Sequence, residues 1–113
     1  MENSKLVLIV DDNYLNLKVE TIFLNKLGYD VESAKDGLVA VNMVANQDYK
    51  LIVMDVMMPV MDGYEATKRI RKSGYEGYIL GCSADASAGA SCISSGMDGF
   101  LSKPVIYSSL SQM

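Results

Sequence analysis

The sequence predicts an α/β domain, a doubly wound five-stranded parallel sheet with helices on both faces. Three observations carry this prediction. Five short strand-like segments, four of them apolar runs, recur along the chain, and helix-patterned stretches separate them. Leu6–Val10 and Leu51–Met54 are continuously apolar rather than alternating, as strands buried on both faces are. No linker, repeat or low-complexity tract interrupts the 113 residues, so a single domain is expected over 1–113.

The elements follow in order. Residues 5–10 read as the first strand, which runs into Asp11-Asp12. Residues 13–27 read as a helix, with Gly28 as its C-cap. Val31 to Ala34 is a short strand, and Asp36 to Ala45 a helix closed by the turn cluster Asn46-Gln47-Asp48. Residues 51–55 form the central strand and end in Asp55. Pro59 and Gly63 punctuate a loop, and Asp62 caps a helix running to about Ser73. Gly74 and Gly77 bracket the turn before the fourth strand, Tyr78 to Cys82. Asp85 to Ser95 is a weak helix, because it holds Gly89 and four serines. Gly96 ends it, Phe100 to Ser102 is the fifth strand, and Val105 to Gln112 a last short helix. That helix is expected either to be truncated at Met113 or to continue into further sequence.

Within helix 13–27, Val19, Phe23 and Leu27 fall in one stripe at 100° per residue and are expected to face the core. Leu15 and Ile22 flank it on one side, Leu17 and Leu24 on the other. So wide an apolar arc has two readings. One is a deeply bedded helix; the other is a partner-docking patch of Tyr14, Leu15 and Ile22.

Composition excludes several classes. Half the residues are hydrophobic and 21% charged, which is globular rather than disordered. Net charge is −4 with no basic cluster, so no nucleic-acid contact is expected. Cys82 and Cys92 are too few for a disulfide framework and read as small buried thiols in a reducing compartment. Leu6–Val10 is too short for a signal-peptide core, and no segment approaches membrane-spanning length. A cytoplasmic location without membrane contact by this domain is the expectation. The chain has no histidine, so it offers no phosphohistidine, histidine base or histidine metal ligand.

In a parallel sheet the carboxyl ends of the strands lie side by side, and ligands bind there. Four strands here finish in polar residues: Asp11-Asp12, Asp55, Ser83 and Lys103. Three gathered carboxylates would raise one another's pKa unless a cation joined them. A hard divalent ion suits oxygen ligands, and Mg²⁺ would leave room for a phosphoryl oxygen. Asp55 can act as a nucleophile toward phosphorus and form an acyl phosphate. Such a transfer needs chiefly positioning and charge neutralisation. Lys103 supplies a compact positive charge and Ser83 a hydroxyl donor. Each residue alone has an ordinary structural role, as a helix cap or turn. All of them in order, each at a strand end, make a site.

On these residues the chain resembles a receiver (response-regulator) domain of two-component phosphorelays. The matching segments are Asp11-Asp12, Met54-Asp55 through Met57-Met58-Pro59 to Asp62-Gly63, Ser83-Ala84, and Gly96-Met97-Asp98-Gly99-Phe100-Leu101-Ser102-Lys103-Pro104. The resemblance implies a flavodoxin-like sheet of order 2-1-3-4-5. It implies Asp55 as phosphoacceptor, Mg²⁺ held by Asp12 directly, by Asp11 mainly through water, by Asp55 and by the backbone carbonyl of Met57. Ser83 and Lys103 would bind the phosphoryl group, and Phe100 would occupy the aromatic switch position. The run Asp11-Asp12-Asn13-Tyr14-Leu15-Asn16 is most similar to receivers of hybrid histidine kinases. Their partner is a histidine kinase or a histidine phosphotransfer domain, and the latter docks on the first helix. Met57 and Asp85 would flank the path of a hydrolytic water, and the apolar Met57 implies slow self-dephosphorylation.

Three alternatives compete on the residues. A haloacid-dehalogenase-type phosphatase needs a second Asp two residues after the first, where this chain has Met57. A flavodoxin needs a phosphate loop after the first strand, where Asp11-Asp12 would repel phosphate. The runner-up is a degenerate receiver acting as a constitutive protein-binding module.

Overall fold

The computed structural model describes residues 5–112. The expected domain spans 1–113, so its first four residues and Met113 lie outside the described residues. The elements are β1 (Leu6–Val10), α1 (Tyr14–Lys26), β2 (Asp30–Ala34), α2 (Gly37–Asn46), β3 (Leu51–Asp55), α3 (Gly63–Lys72), β4 (Tyr78–Ser83), a 3₁₀ turn (Ala86–Ala88), α4 (Gly89–Ser95), β5 (Gly99–Ser102) and α5 (Tyr107–Ser111). All neighbouring strands pair in parallel, in the order β2-β1-β3-β4-β5. This is the order that the resemblance implied. Among the described residues no helix is long and apolar enough to cross a membrane.

The alternation of side chains along each strand divides the core into two layers. Leu8, Val10, Ile52, Met54 and Ile79 face one side, where Ala40 of α2, Ala66 and Ile70 of α3 and Cys92 of α4 cover them. Val7, Ile9, Leu51, Val53 and Leu80 face the other, under Leu24 of α1 and Leu110 of α5. Both cysteines are free and buried, as expected.

Local chemistry sets the helix starts. Asn13, Asp36 and Asp62 each accept a hydrogen bond from the backbone N–H three residues on, at 3.0, 2.9 and 2.9 Å. Gly28 takes the left-handed conformation at φ +94°, one residue beyond the C-cap Leu27. Gly63 is required for a different reason. A Cβ there would run into the backbone carbonyl of Asp55, and the Gly63 N–H donates to Val56 O at 2.9 Å. The loop after β3 is thereby closed against the strand end.

Three expectations need correction. The buried face of α1 is centred on Glu20 and Leu24, at 4% and 1% exposure, while Val19 is 43% exposed. Counting apolar residues alone placed the face one residue too early, because a charged residue occupies its middle. The segment 85–95 is not one helix. The Asp85 carboxylate accepts from the Ser87 N–H at 2.9 Å and its hydroxyl at 2.6 Å. That local network tightens the first turn into 3₁₀ geometry, leaving a seven-residue α4. The last helix begins at Tyr107 rather than Val105, whose side chain is buried before the helix starts.

Candidate functional site

β1 and β3 are adjacent, and Val10 pairs with Met54. The next residues, Asp11 and Asp55, therefore emerge side by side. Asp55 in turn pairs with Cys82, next to Ser83 at the end of β4. Ser83 pairs with Ser102, and the Lys103 N–H donates to the Ser83 carbonyl at 2.8 Å. The parallel register thus delivers the four strand ends to one cleft of about 410 Å³. Asp11, Asp12, Asp55, Met57, Ser83 and Lys103 line it, with Asn13 and Asn16 from the start of α1.

Carboxylate oxygens of Asp11, Asp12 and Asp55 lie within 4.8 Å of one another. Asp11 and Asp55 are buried and Asp12 is exposed. The cation joining the buried pair here is Lys103, whose Nζ lies 2.9 Å from Asp11 Oδ2 and 3.0 Å from Asp55 Oδ1. Asp11 is further held by the Asn13 N–H at 2.9 Å and by Asn16 Nδ2 at 3.3 Å. Ser83 Oγ accepts from the Asp85 N–H at 3.1 Å, which leaves its own proton free to donate.

The electrostatics follow from burial. Desolvation pushes the Asp55 carboxyl up to about 6, against the hydrogen bond from Lys103, and the charge of Asp11 pushes the same way. The Met57 N–H, bonded to the Asp55 carboxylate, pulls it down. For Lys103, burial works against the charge, but hydrogen bonds to Asp11 and Asp55 more than reverse this and keep the ammonium protonated. A buried carboxylate facing a lysine and two further aspartates is the arrangement expected where charged groups are gathered for function.

The family profile described as "Response regulator receiver domain" matches residues 7–113. The chain belongs to this receiver family. It is a receiver of two-component signalling, and its sheet has the family's strand order. It is similar to the sensor histidine kinase RcsC of Salmonella typhi, 39% identical over 109 residues that make up 95% of this chain and 12% of that protein. It thus spans about an eighth of the length of that curated relative. Among solved structures it is similar to the receiver domain of the sensor histidine kinase PA1611 from Pseudomonas aeruginosa PAO1. The TM-score is 0.89 at 35% identity, covering 96% of this chain and 93% of that one, and that structure has a magnesium ion coordinated in its active site cleft. A second is the Saccharomyces cerevisiae Ssk1 receiver in complex with the histidine phosphotransfer protein Ypd1. Its TM-score is 0.88 at 32% identity, covering 96% of this chain and 85% of that one.

The receiver brings together every strand-end residue singled out in the sequence. Phe100 stands apart from the cleft. It pairs with Gly81 on β4, is half-buried, and packs its ring over Gly89 at the start of α4. Tyr14, Leu15 and Ile22 are 73%, 68% and 48% exposed on α1, whose first turn also lines the cleft through Asn16. Two residues of the receiver were missed by sequence reasoning. Asn16 enters the sequence reading only as the end of the run from Asp11, with no role of its own, yet it holds Asp11. Glu20 is buried, and desolvation followed by the charge of Asp11 pushes its carboxyl up to about 7. The available signal was spacing: 13, 16, 17, 20 and 24 share one helical face.

Proposed function

We propose that this receiver accepts a phosphoryl group on Asp55 from a partner's phosphohistidine in a Mg²⁺-dependent reaction, and that the change alters its surface for partner binding. The observation that carries the reading is the convergence of Asp11, Asp12 and Lys103 on the Asp55 carboxylate. The three aspartates fit the ion, being hard oxygen donors close enough to share one cation. Asp12 would ligate it directly, Asp11 mainly through water, with Asp55 and the Met57 carbonyl completing the protein's share. When bound, Mg²⁺ supplies charge neutralisation for phosphoryl oxygens.

The protein's own residues do the rest. An Asp55 Oδ forms the new bond to phosphorus as the P–N bond to the donor imidazole breaks, and the bonding pair leaves with the ring nitrogen. Lys103 moves from Asp55 Oδ1 to a phosphoryl oxygen, and Ser83 donates its free hydroxyl proton to another. That pull on Ser83 opens space beside β4, which Phe100 on the neighbouring strand takes up. A local charge change then shifts a two-state surface over residues 83–104.

Because the chain has no histidine, the phosphoryl donor is a histidine outside these 113 residues. A histidine kinase or a histidine phosphotransfer domain fits that role, and the exposed Tyr14, Leu15 and Ile22 offer it an apolar seat. The test is transfer from a labelled phosphohistidine donor protein, with and without Mg²⁺. Label should move to this chain only with Mg²⁺. Leu15→Asp and Ile22→Asp should slow it roughly tenfold or more, through loss of apolar contact, while leaving labelling by a small-molecule donor unchanged. Failure to accept label from any donor would favour a constitutive binding module instead.

A further inference from the structure

Three donors hold the Asp11 carboxylate, and two of them come from the start of α1. Oδ1 accepts from the Asn13 N–H at 2.9 Å. Oδ2 accepts from Asn16 Nδ2 at 3.3 Å and from Lys103 Nζ at 2.9 Å. The Asp11 N–H is tied to β2 as well, donating to the Ala34 carbonyl at 3.1 Å. A carboxylate has about four lone-pair sites, so three donors leave room for about one more. Asp11 is buried, and its orientation is set by these neighbours rather than by water.

The Asn16 side chain plays no part in starting α1. Asn13 is the cap, and its Oδ1 accepts from the Asn16 N–H at 3.0 Å. Three residues after a cap, a capping-box side chain reaches back to the N–H of the cap residue. Here that N–H is taken by Asp11 Oδ1, and the Asn16 amide goes to Asp11 too. Asparagine is a poor helix former. The contact across to the end of β1 accounts for it inside the first turn, where the helix itself would favour another residue. Asn16 also lines the cleft beside Asp11, Asp12 and Asp55.

The donors differ in charge. Lys103 is shared with Asp55, 3.0 Å from its Oδ1, and offsets the charge of both aspartates. In the proposed transfer it turns to a phosphoryl oxygen, and a buried carboxylate that loses its cation needs other donors. An amide is neutral, so it fixes Asp11 without lowering the charge offered to a metal ion. Partners that orient a metal-binding carboxylate are worth about tenfold or more in affinity. We propose that Asn16 is a positioning residue whose amide holds Asp11 Oδ2 in place for divalent-cation binding, independently of Lys103. The inference rests on the Mg²⁺-dependent reading of the cleft.

The experiment is an amide chemical-shift titration of the protein with Mg²⁺ alone, for wild type, Asn16→Ala, Lys103→Met and the double variant. Asn16→Ala should bind Mg²⁺ about tenfold more weakly than its parent, both with and without Lys103. Its metal-free spectrum should stay dispersed, with changes confined to the start of α1 and the cleft. An Asn16→Ala affinity within about twofold of wild type overturns the proposal, since an orienting partner is worth more than that. A loss that vanishes in the Lys103→Met background overturns it as well, because the amide would then act only through the lysine. A collapsed metal-free spectrum would make the role structural and overturn it too. Each of these leaves the metal site standing, whereas no Mg²⁺ binding by wild type overturns both readings.

Discussion

Asp55 is a carboxylate kept out of water, and that arrangement has a thermodynamic signature. Its folded-state pKa of about 6 lies above the value of about 4 expected in an unfolded chain. A raised carboxyl contributes stability that is fully present below about pH 4 and lost as pH rises through about 6. Asp55→Asn cannot ionise, so urea denaturation should find it more stable than wild type at pH 8, by on the order of 2 kcal/mol. The gap should close below pH 4. A variant less stable than wild type at pH 8 would mean that Lys103 outweighs burial. Met57 bears on lifetime instead. It is 72% exposed over the cleft and its thioether cannot orient an attacking water. The acyl phosphate should therefore persist for minutes, followed by loss of label after donor removal; decay within seconds would contradict this. The identities of these residues were legible because each stands where an apolar run stops. The contact of Lys103 with Asp11 was not, since 92 residues separate the partners and only the folded sheet joins them.

At the scale of elements, caps were legible and faces less so. Asn13, Asp36 and Asp62 signalled their helix starts because an N-cap is a local hydrogen bond. The face of α1 was misjudged because Glu20 counts as polar in any periodicity, while tertiary burial puts it inside. The split at Ala88 depended on how one Asp85 carboxylate folds back on Ser87, which composition hinted at only as weakness. The loop after β3 carries a strain of its own. Val60 sits at φ +70°, a region β-branched residues rarely adopt, and is 81% exposed. Relief of about 1–2 kcal/mol of backbone strain exceeds the added unfolded-state entropy of glycine. Val60→Gly should thus raise stability by about 0.5–1 kcal/mol, read as an increase in Tm of a few degrees. A lower Tm would show that contacts of the Val60 side chain outweigh the strain.

For the molecule as a whole, the fold was legible because β1 and β3 are continuous apolar runs in a strictly alternating chain. Their adjacency came from the family resemblance, since apolar runs do not encode which strands pair. Yet adjacency is what makes the site, bringing Asp11 and Asp55 to one cation. The same sheet carries Phe100 two strands away from β3, where its ring lies over Gly89 of α4. All of this depends on Asp55 being the acceptor. The direct measurement is intact-mass and peptide analysis of the protein after incubation with a small-molecule phosphodonor and Mg²⁺, alongside Asp55→Asn. The expected result is one added phosphoryl group, hydroxylamine-labile and located at Asp55, absent without Mg²⁺ and absent from the variant. An unmodified wild type, or a variant modified equally well, would contradict it.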